Sequence, residues 1–388
     1  MASIRALIAL AFGTLGLGIT EYVAMGLLPY WAEDLHLDLA TSGHAISAYA
    51  LGVAVGAFML VFMRHLKLKT ILLILVVIHI VGNAFTAWAP NYELLISARF
   101  VAGLPHGSYF GVGSIIAQRI ATQGRGTSAV AIMTAGMTIA NVFGVPLGTA
   151  LAHTLSWRVI FYLVVFWGVL VLVSCAFWVK DVGRIEDTGF KGQFAFLKHR
   201  APWLVLAATL LGNAGIFCMQ SYVSPILTMV AGVKLEYVSA VLVAMGVCMV
   251  IFNLISGRIC DLFTPGSAAC WYQLIAVFLL GGIALFGSHT IICIVLICLT
   301  AGMLFALSAP EQVSILRCSP GGLLLGAASV QAAFNLGNAL GAYVGGLPFV
   351  FDLPLHFITL FGAALACLGF IALFIYYRYD ERKFTAQI

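Results

Sequence analysis

Residues 134–149 read TAGMTIANVFGVPLGT, and residues 331–346 read QAAFNLGNALGAYVGG. Shifted by 197 positions, Asn141 falls on Asn338, Gly144 on Gly341 and Gly148 on Gly345. Both stretches place small residues four apart: Gly136, Ala140, Gly144, Gly148, and Ala333, Gly337, Gly341, Gly345. That spacing gathers them on one helix face, where a neighbouring backbone can come close. A shift of 196 lays Pro29 on Pro225. Two parallel repeats of six helices are the simplest account. Repeats of this kind are a mark of secondary transporters, with the solute site expected between the halves.

The rest of the chain fits a membrane protein. Hydrophobic residues make up 62% of it and charged residues 9%, too few charges to cover a surface in water. Apolar segments fall at roughly 5–30, 41–63, 69–89, 93–118, 126–152 and 157–179. They resume at about 201–230, 236–258, 270–287, 290–316, 322–349 and 355–377. Each must be helical, because lipid offers backbone groups no other partner. The first contains Glu21 and runs past Leu28, so it reads as a span and not as a cleaved leader. The expected fold is therefore all-α, with twelve transmembrane helices in two pseudosymmetric bundles. The expected units are an N-terminal bundle over 1–180, a central cytoplasmic linker over 181–200 and a C-terminal bundle over 201–388.

Charge sets the orientation. With twelve spans threaded, sixteen Lys and Arg fall on the side of the termini, and only Arg158 and Lys234 fall opposite. By the positive-inside rule both termini are expected in the cytoplasm of a bacterial cell, in its inner membrane. The segment from Lys180 to Arg200 interleaves Phe190, Phe194, Phe196 and Leu197 with its charges, which predicts an interfacial helix. The net charge of +5 is dispersed in short loops, so no nucleic-acid partner is expected. The nine cysteines lie mostly inside apolar runs without a CxxC pair. There is no GK dipeptide, hence no phosphate-binding loop, and no metal-ligand spacing. No cofactor and no enzyme activity are expected; uphill transport would draw on an ion gradient.

Ionisable residues within spans carry the sharper signal, since a central charge costs about 2.5–3.5 kcal/mol on insertion scales. Glu21 lies ten residues before Trp31, about 15 Å below the outer end of its helix at 1.5 Å per residue. Arg99 lies seven residues after Tyr92, about 11 Å in from the same side. An ion pair is expected if the helices adjoin, able to exchange a proton or to stand as a static lock. His106 shares the face of Arg99, either in the same site or as a packing residue. His79 reads as structural. Glu311 is placed near the cytoplasmic end, in an interfacial pair with Arg317. Candidate solute contacts are Tyr22, Tyr49, Asn141, Gln220, Gln331, Asn335 and Asn338; each could equally hydrogen-bond a neighbouring helix.

Several stretches resemble a known family. EYVAMGLLPYWAEDL, RFVAGLPHGSYFGVG, ANVFGVPLGT and SWRVIFY look like the drug:proton antiporter group of the major facilitator superfamily. LFALSAPEQ and AAFNLGNALGAYVGG resemble its AraJ-like branch, whose members are described as arabinose-inducible sugar-efflux transporters. By that resemblance Arg99 is the helix 4 arginine linked to proton coupling. Gly144, Pro146 and Gly148 resemble the helix 5 antiporter motif, here with Val145 between its Gly and Pro. The family's acidic residue and Gly-Arg step after helix 2 are replaced by FMRHLKLKT, which leaves Arg64 and Lys67. The matching SGRICDLF after helix 8 retains Gly257, Arg258 and Asp261, so cytoplasmic gating is expected to lean on the second half. The resemblance implies a monomeric, proton-coupled exporter of a small sugar-like or drug-like solute. The competing readings are an uncoupled facilitator and a membrane sensor or scaffold without flux.

Overall fold

The computed structural model describes residues 2–37 and 39–381, and every long element in that range is a helix. In the first half these are α1 (Ala2–Asp34), α2 (Leu39–Met63), α3 (Leu68–Trp88), α4 (Tyr92–Ile120), α5 (Gly126–Thr154) and α6 (Trp157–Trp178). The second half contributes α7 (Arg200–Ser221), α8 (Leu235–Leu262), α9 (Pro265–Phe286), α10 (Thr290–Arg317), α11 (Leu323–Val350) and α12 (His356–Ile375). Each apolar segment of the sequence corresponds to one of the twelve. Eleven of them are long and apolar enough to cross a membrane. The other is α4, which carries Arg99 and His106 and is almost wholly enclosed from Ala102 to Ala117. A helix walled in by protein does not need an apolar surface of its own.

By contact, one compact unit comprises Met1–Ala195 with Gly321–Ala332, and the other comprises Phe196–Pro320 with Ala333–Ile388. Their internal neighbours correspond. In the first unit α1 packs on α5 and α6, α2 on α4, and α3 on α4 and α6. In the second α7 packs on α12, α8 on α10, and α9 on α10 and α12. The pairing of α7 with α11, equivalent to α1 with α5, is made through the small residues of the repeat. A Cβ on Gly136 would meet the Ala11 carbonyl, and one on Gly148 would meet Val23. A Cβ on Gly337 would stand 2.6 Å from the Leu210 carbonyl, and one on Gly341 would meet the Ala214 carbonyl. Both ridges are thus helix seams with no room for a side chain, the geometry that four-residue spacing implies. Gly144 differs, since a Cβ there would lie 3.7 Å from Tyr22. The side chains of residues 145–147, Pro146 among them, lie outside the described set.

The repeat diverges at its prolines. Helix α1 continues five residues past Pro29, whereas α7 stops at Ser221 and resumes as a short turn, Val223–Pro225, then a π turn over Ile226–Val230. The Tyr222 hydroxyl donates to the Ala342 carbonyl at 3.1 Å, anchoring the break on α11.

The segment after α6 is a correction to the sequence reading. It is not an interfacial helix: the chain is irregular over 180–188, then forms one turn at Gly189–Gly192 and a 3-10 turn at Ala195–Lys198. Gly183 and Gly189 sit at φ +82° and +75°, where a continuous right-handed helix cannot pass. Asp181 and Asp187 accept from the backbone N–H of those glycines, both at 2.9 Å. The same carboxylates hold the basic loop between α2 and α3: Lys67 Nζ lies 2.6 Å from Asp181, and Arg64 Nε lies 2.9 Å from Asp187. Arg119 donates to the Val182 carbonyl at 2.9 Å, and Thr188 donates to the Gly321 carbonyl at 2.5 Å. Phe190 and Phe194 pack on Phe62 and Phe58. The acidic partner missing from the loop after helix 2 is therefore supplied from this segment.

The Lys67 ammonium, and then the Gly183 N–H, hold the Asp181 carboxyl below its usual range. A depressed carboxylate contributes stability that is present above its unfolded pKa and lost as pH falls through the folded value. The hydrogen exchange of the Gly183 amide, corrected for its intrinsic pH dependence, is therefore expected to stay protected down to about pH 4, the unperturbed carboxylate range, and trypsin cleavage after exposed Arg184 to be slow at pH 7. Asp181→Asn should speed cleavage at pH 7; an unchanged rate would show that the pair does not hold the segment.

Candidate site at the helix 4 arginine

Arg99 is fully buried. Its position follows from two glycine crossings between α2 and α4: a Cβ on Gly52 would meet the Phe100 carbonyl, and one on Gly103 would meet the Tyr49 carbonyl. That close approach brings the guanidinium between three helices. Nη1 donates to the Thr20 carbonyl of α1 at 3.0 Å, and Nε donates to the Ala45 carbonyl of α2 at 3.3 Å. The guanidinium carbon lies 4.6 Å from the centre of the Tyr49 ring and 5.8 Å from those of Trp31 and Phe161. The charge is held by carbonyl dipoles and aromatic faces.

The expected ion pair with Glu21 is not formed. The nearest ionisable partner of the Glu21 carboxylate is His106: Oε2 lies 3.7 Å from Nε2. The reason is geometric, because the guanidinium is already bracketed by α1 and α2 carbonyls while the carboxylate lies against His106, two turns further along α4. His106 Nδ1 lies 2.8 Å from the Tyr49 hydroxyl, which also reaches the Leu17 carbonyl at 3.4 Å. The phenol has one proton for these two acceptors: donated to Nδ1, it leaves the imidazole proton on Nε2 facing the carboxylate, and donated to Leu17, it leaves that proton on Nδ1. Neither Glu21 Oε2 nor His106 Nε2 has a hydrogen-bond partner, and the Glu21 side chain is 11% exposed. An approach of about 1 Å would bring the pair to hydrogen-bonding distance.

Six sequence-selected residues, Glu21, Tyr22, Tyr49, Arg99, His106 and Asn141, thus gather in the first unit, and a seventh, Gln331, belongs to it as well. Tyr22 is buried and hydrogen-bonded to Asn141, joining α1 to α5 beside Glu21. Tyr49 belongs to the arginine and histidine, since its ring and hydroxyl are both engaged there. Gln331 is buried in the same unit, where a Cβ on Gly107 would lie 3.3 Å from its side chain. The remaining solute candidates lie in the second unit. Asn338 accepts from Asn213 at 2.5 Å, Gln220 leaves Oε1 without a partner, and Asn335 is half-buried on α11. Of the residues retained after helix 8, Gly257 is buried, Asp261 half-buried and Arg258 exposed.

Glu311 is the second correction. It does not pair with Arg317 at an interface; it is 5% exposed and hydrogen-bonded to Thr209 of α7. The last four turns of α10 are buried on nearly every side, so a position close to the helix end is still interior. Depth counted along one helix cannot reveal this. An apolar cavity of about 290 Å³ lies between α1, α5 and α6, against Gly144, Gly148, Phe143 and Trp167. None of Glu21, Arg99 and His106 lines it.

Comparison with known proteins agrees with this architecture. AraJ of Escherichia coli strain K12 is 39% identical over 380 residues, covering 98% of this chain and 96% of AraJ. The inner membrane transport protein YdhP of the same strain is 33% identical over 370 residues, covering 95% of each chain. The crystal structure of the E. coli fucose:proton symporter FucP superposes with a TM-score of 0.77 at 14% identity, covering 97% of this chain and 99% of that one. The sequence profile described as Major Facilitator Superfamily matches residues 10–320. The chain is a multi-pass membrane transporter, and it belongs to the major facilitator superfamily.

Proposed function

We propose that this transporter exports a small sugar-like or drug-like solute in exchange for protons, by alternating access in a bacterial inner membrane, with both termini in the cytoplasm. Glu21 carries the proton, His106 and Tyr49 orient it, and Arg99 sets the local field. Solute contacts are assigned to Tyr22, Asn141, Gln220, Gln331, Asn335 and Asn338. The carrying observation is the meeting of a carboxylate and an imidazole inside the membrane, both without hydrogen-bond partners on the facing atoms. Intramembrane groups of this kind are costly, which favours a working role. The relatives add support: AraJ-like resemblance points to efflux, and YdhP is an inner membrane protein by name.

The facilitator reading required a static Glu21–Arg99 lock, and Arg99 makes its bonds elsewhere. In proteoliposomes, Glu21→Gln is expected to lose solute movement driven by a pH gradient while keeping solute exchange. Wild-type response to the gradient in that variant would remove Glu21 from the proton step. Equal wild-type transport with and without a gradient would leave the facilitator.

A further inference from the structure

On the far side of Thr20 from Arg99, His79 of α3 is buried with its Nε2 atom unpartnered. One neighbour fixes its proton. The Asn83 amide nitrogen donates to the His79 backbone carbonyl at 2.8 Å, so the same NH2 group faces His79 Nδ1 at 3.2 Å. Nδ1 accepts, and the ring N–H is therefore on Nε2. Leaving such a donor buried and unmatched costs about 1–3 kcal/mol.

Nε2 faces a cavity of about 10 Å³, bounded by Gly13 and Gly16 of α1, Tyr109 of α4 and Val171 of α6. That volume meets the lower limit for one water molecule, about 10–15 Å³. Tyr109 supplies a second polar group to the lining. Its hydroxyl donates to the Leu10 carbonyl at 3.2 Å, and the oxygen, which also meets the Cys175 thiol, has a second lone pair to accept. Gly16 leaves the space open: a Cβ there would stand 3.4 Å from His79 Nε2 and 3.1 Å from the Trp167 ring.

We propose that this chamber binds one water molecule, which accepts from His79 Nε2–H and donates to the Tyr109 oxygen. With it in place, hydrogen bonds run unbroken from Asn83 through His79, the water and Tyr109 to the Leu10 carbonyl, and the hydroxyl of Thr20, whose carbonyl holds Arg99, lies 3.2 Å from Asn83. The chain ties α3 and α4 to α1 between Leu10 and Thr20, ten residues or about 15 Å apart.

X-ray hydroxyl-radical footprinting of the full-length protein in lipid nanodiscs tests this, because radiolysis of a bound water labels the side chains touching it. Tyr109 and Tyr49 are equally buried, at 2% exposure. Tyr109 is expected to label and Tyr49 is not; Gly16→Ala, which fills the chamber, should abolish the Tyr109 label. A wild-type Tyr109 that stays unlabelled, or labels equally in Gly16→Ala, overturns the proposal. If Gly16→Ala does not reach the membrane, the His79 variants decide. His79→Gln retains an N–H at the Nε2 position and should keep the label, while His79→Leu should lose it. Equal labelling in those two variants overturns the proposal as well.

Discussion

Arg99→Leu is expected to abolish proton-driven transport while leaving the melting temperature unchanged or raised. Arg99→Lys is expected to lose transport and stability together. The contrast follows from how the charge is held. The guanidinium fork reaches the Thr20 and Ala45 carbonyls at once and stacks among Tyr49, Trp31 and Phe161. A lysine keeps the cost of burying a charge but has no planar fork to span two helices or stack on the rings. Hydrogen bonds to charged groups contribute about 1.5–3 kcal/mol each, so losing one should be visible as a lowered unfolding temperature in detergent. A leucine removes the buried charge and, with it, the cost of keeping that charge out of water. Both accepting carbonyls lie within helices and keep their intrahelical donors. If Arg99→Leu transported normally against a pH gradient, the arginine would have no part in coupling. If it unfolded as readily as Arg99→Lys, the bracket would be chiefly structural.

The second large effect concerns the two ridges. Gly136→Val and Gly341→Val should each prevent assembly, because the first added carbon already meets a backbone carbonyl of the facing helix. Overpacking a rigid seam costs about 1–3 kcal/mol, and more when backbone must move. The yield of folded protein from membranes should fall sharply in both variants. Gly144→Ala is the control. Its Cβ has ordinary contact distance to Tyr22, and alanine is favoured over glycine in a helix by about 1 kcal/mol. It should fold as well as the wild type. Should Gly144→Ala fold yet transport slowly, the glycine serves motion and not packing. Normal folding of Gly136→Val would mean that the seam is looser than its geometry.

Much of this was legible in the residues. The repeat at 134–149 and 331–346 announced two equivalent seams, and the seams exist with their partners on α1 and α7. The grouping of Glu21, Arg99 and His106 was legible from depth and helical face. What depth could not supply was the pairing. Which of two nearby cations a carboxylate meets depends on side-chain direction, and Arg99 was already committed to carbonyls that no sequence pattern marks. Glu311 was misjudged for a related reason: distance from a helix end says nothing about the helices wrapped around that end. The segment after α6 was misread because alternating aromatics and charges suggested an interfacial helix. The glycines at 183 and 189 and the Asp-x-Gly turns were present in that stretch and point the other way. The partner of Arg64 lay 123 residues away, beyond any local signal.

The enclosure of α4 bears on how the chain is made. Glu93, Arg99, His106 and Arg119 leave this helix too polar to partition into lipid as an isolated segment. It needs a reception party, and synthesis order provides one, since α1, α2 and α3 leave the ribosome before it. Its later neighbour α5 arrives only afterwards, so the nascent protein has to hold α4 in an incomplete ring. In released chains of residues 1–125, a cysteine placed after Ile120 should then be labelled from the side of the N-terminus when α2 is intact, and from the opposite side when Gly52 and Gly56 are replaced by valine.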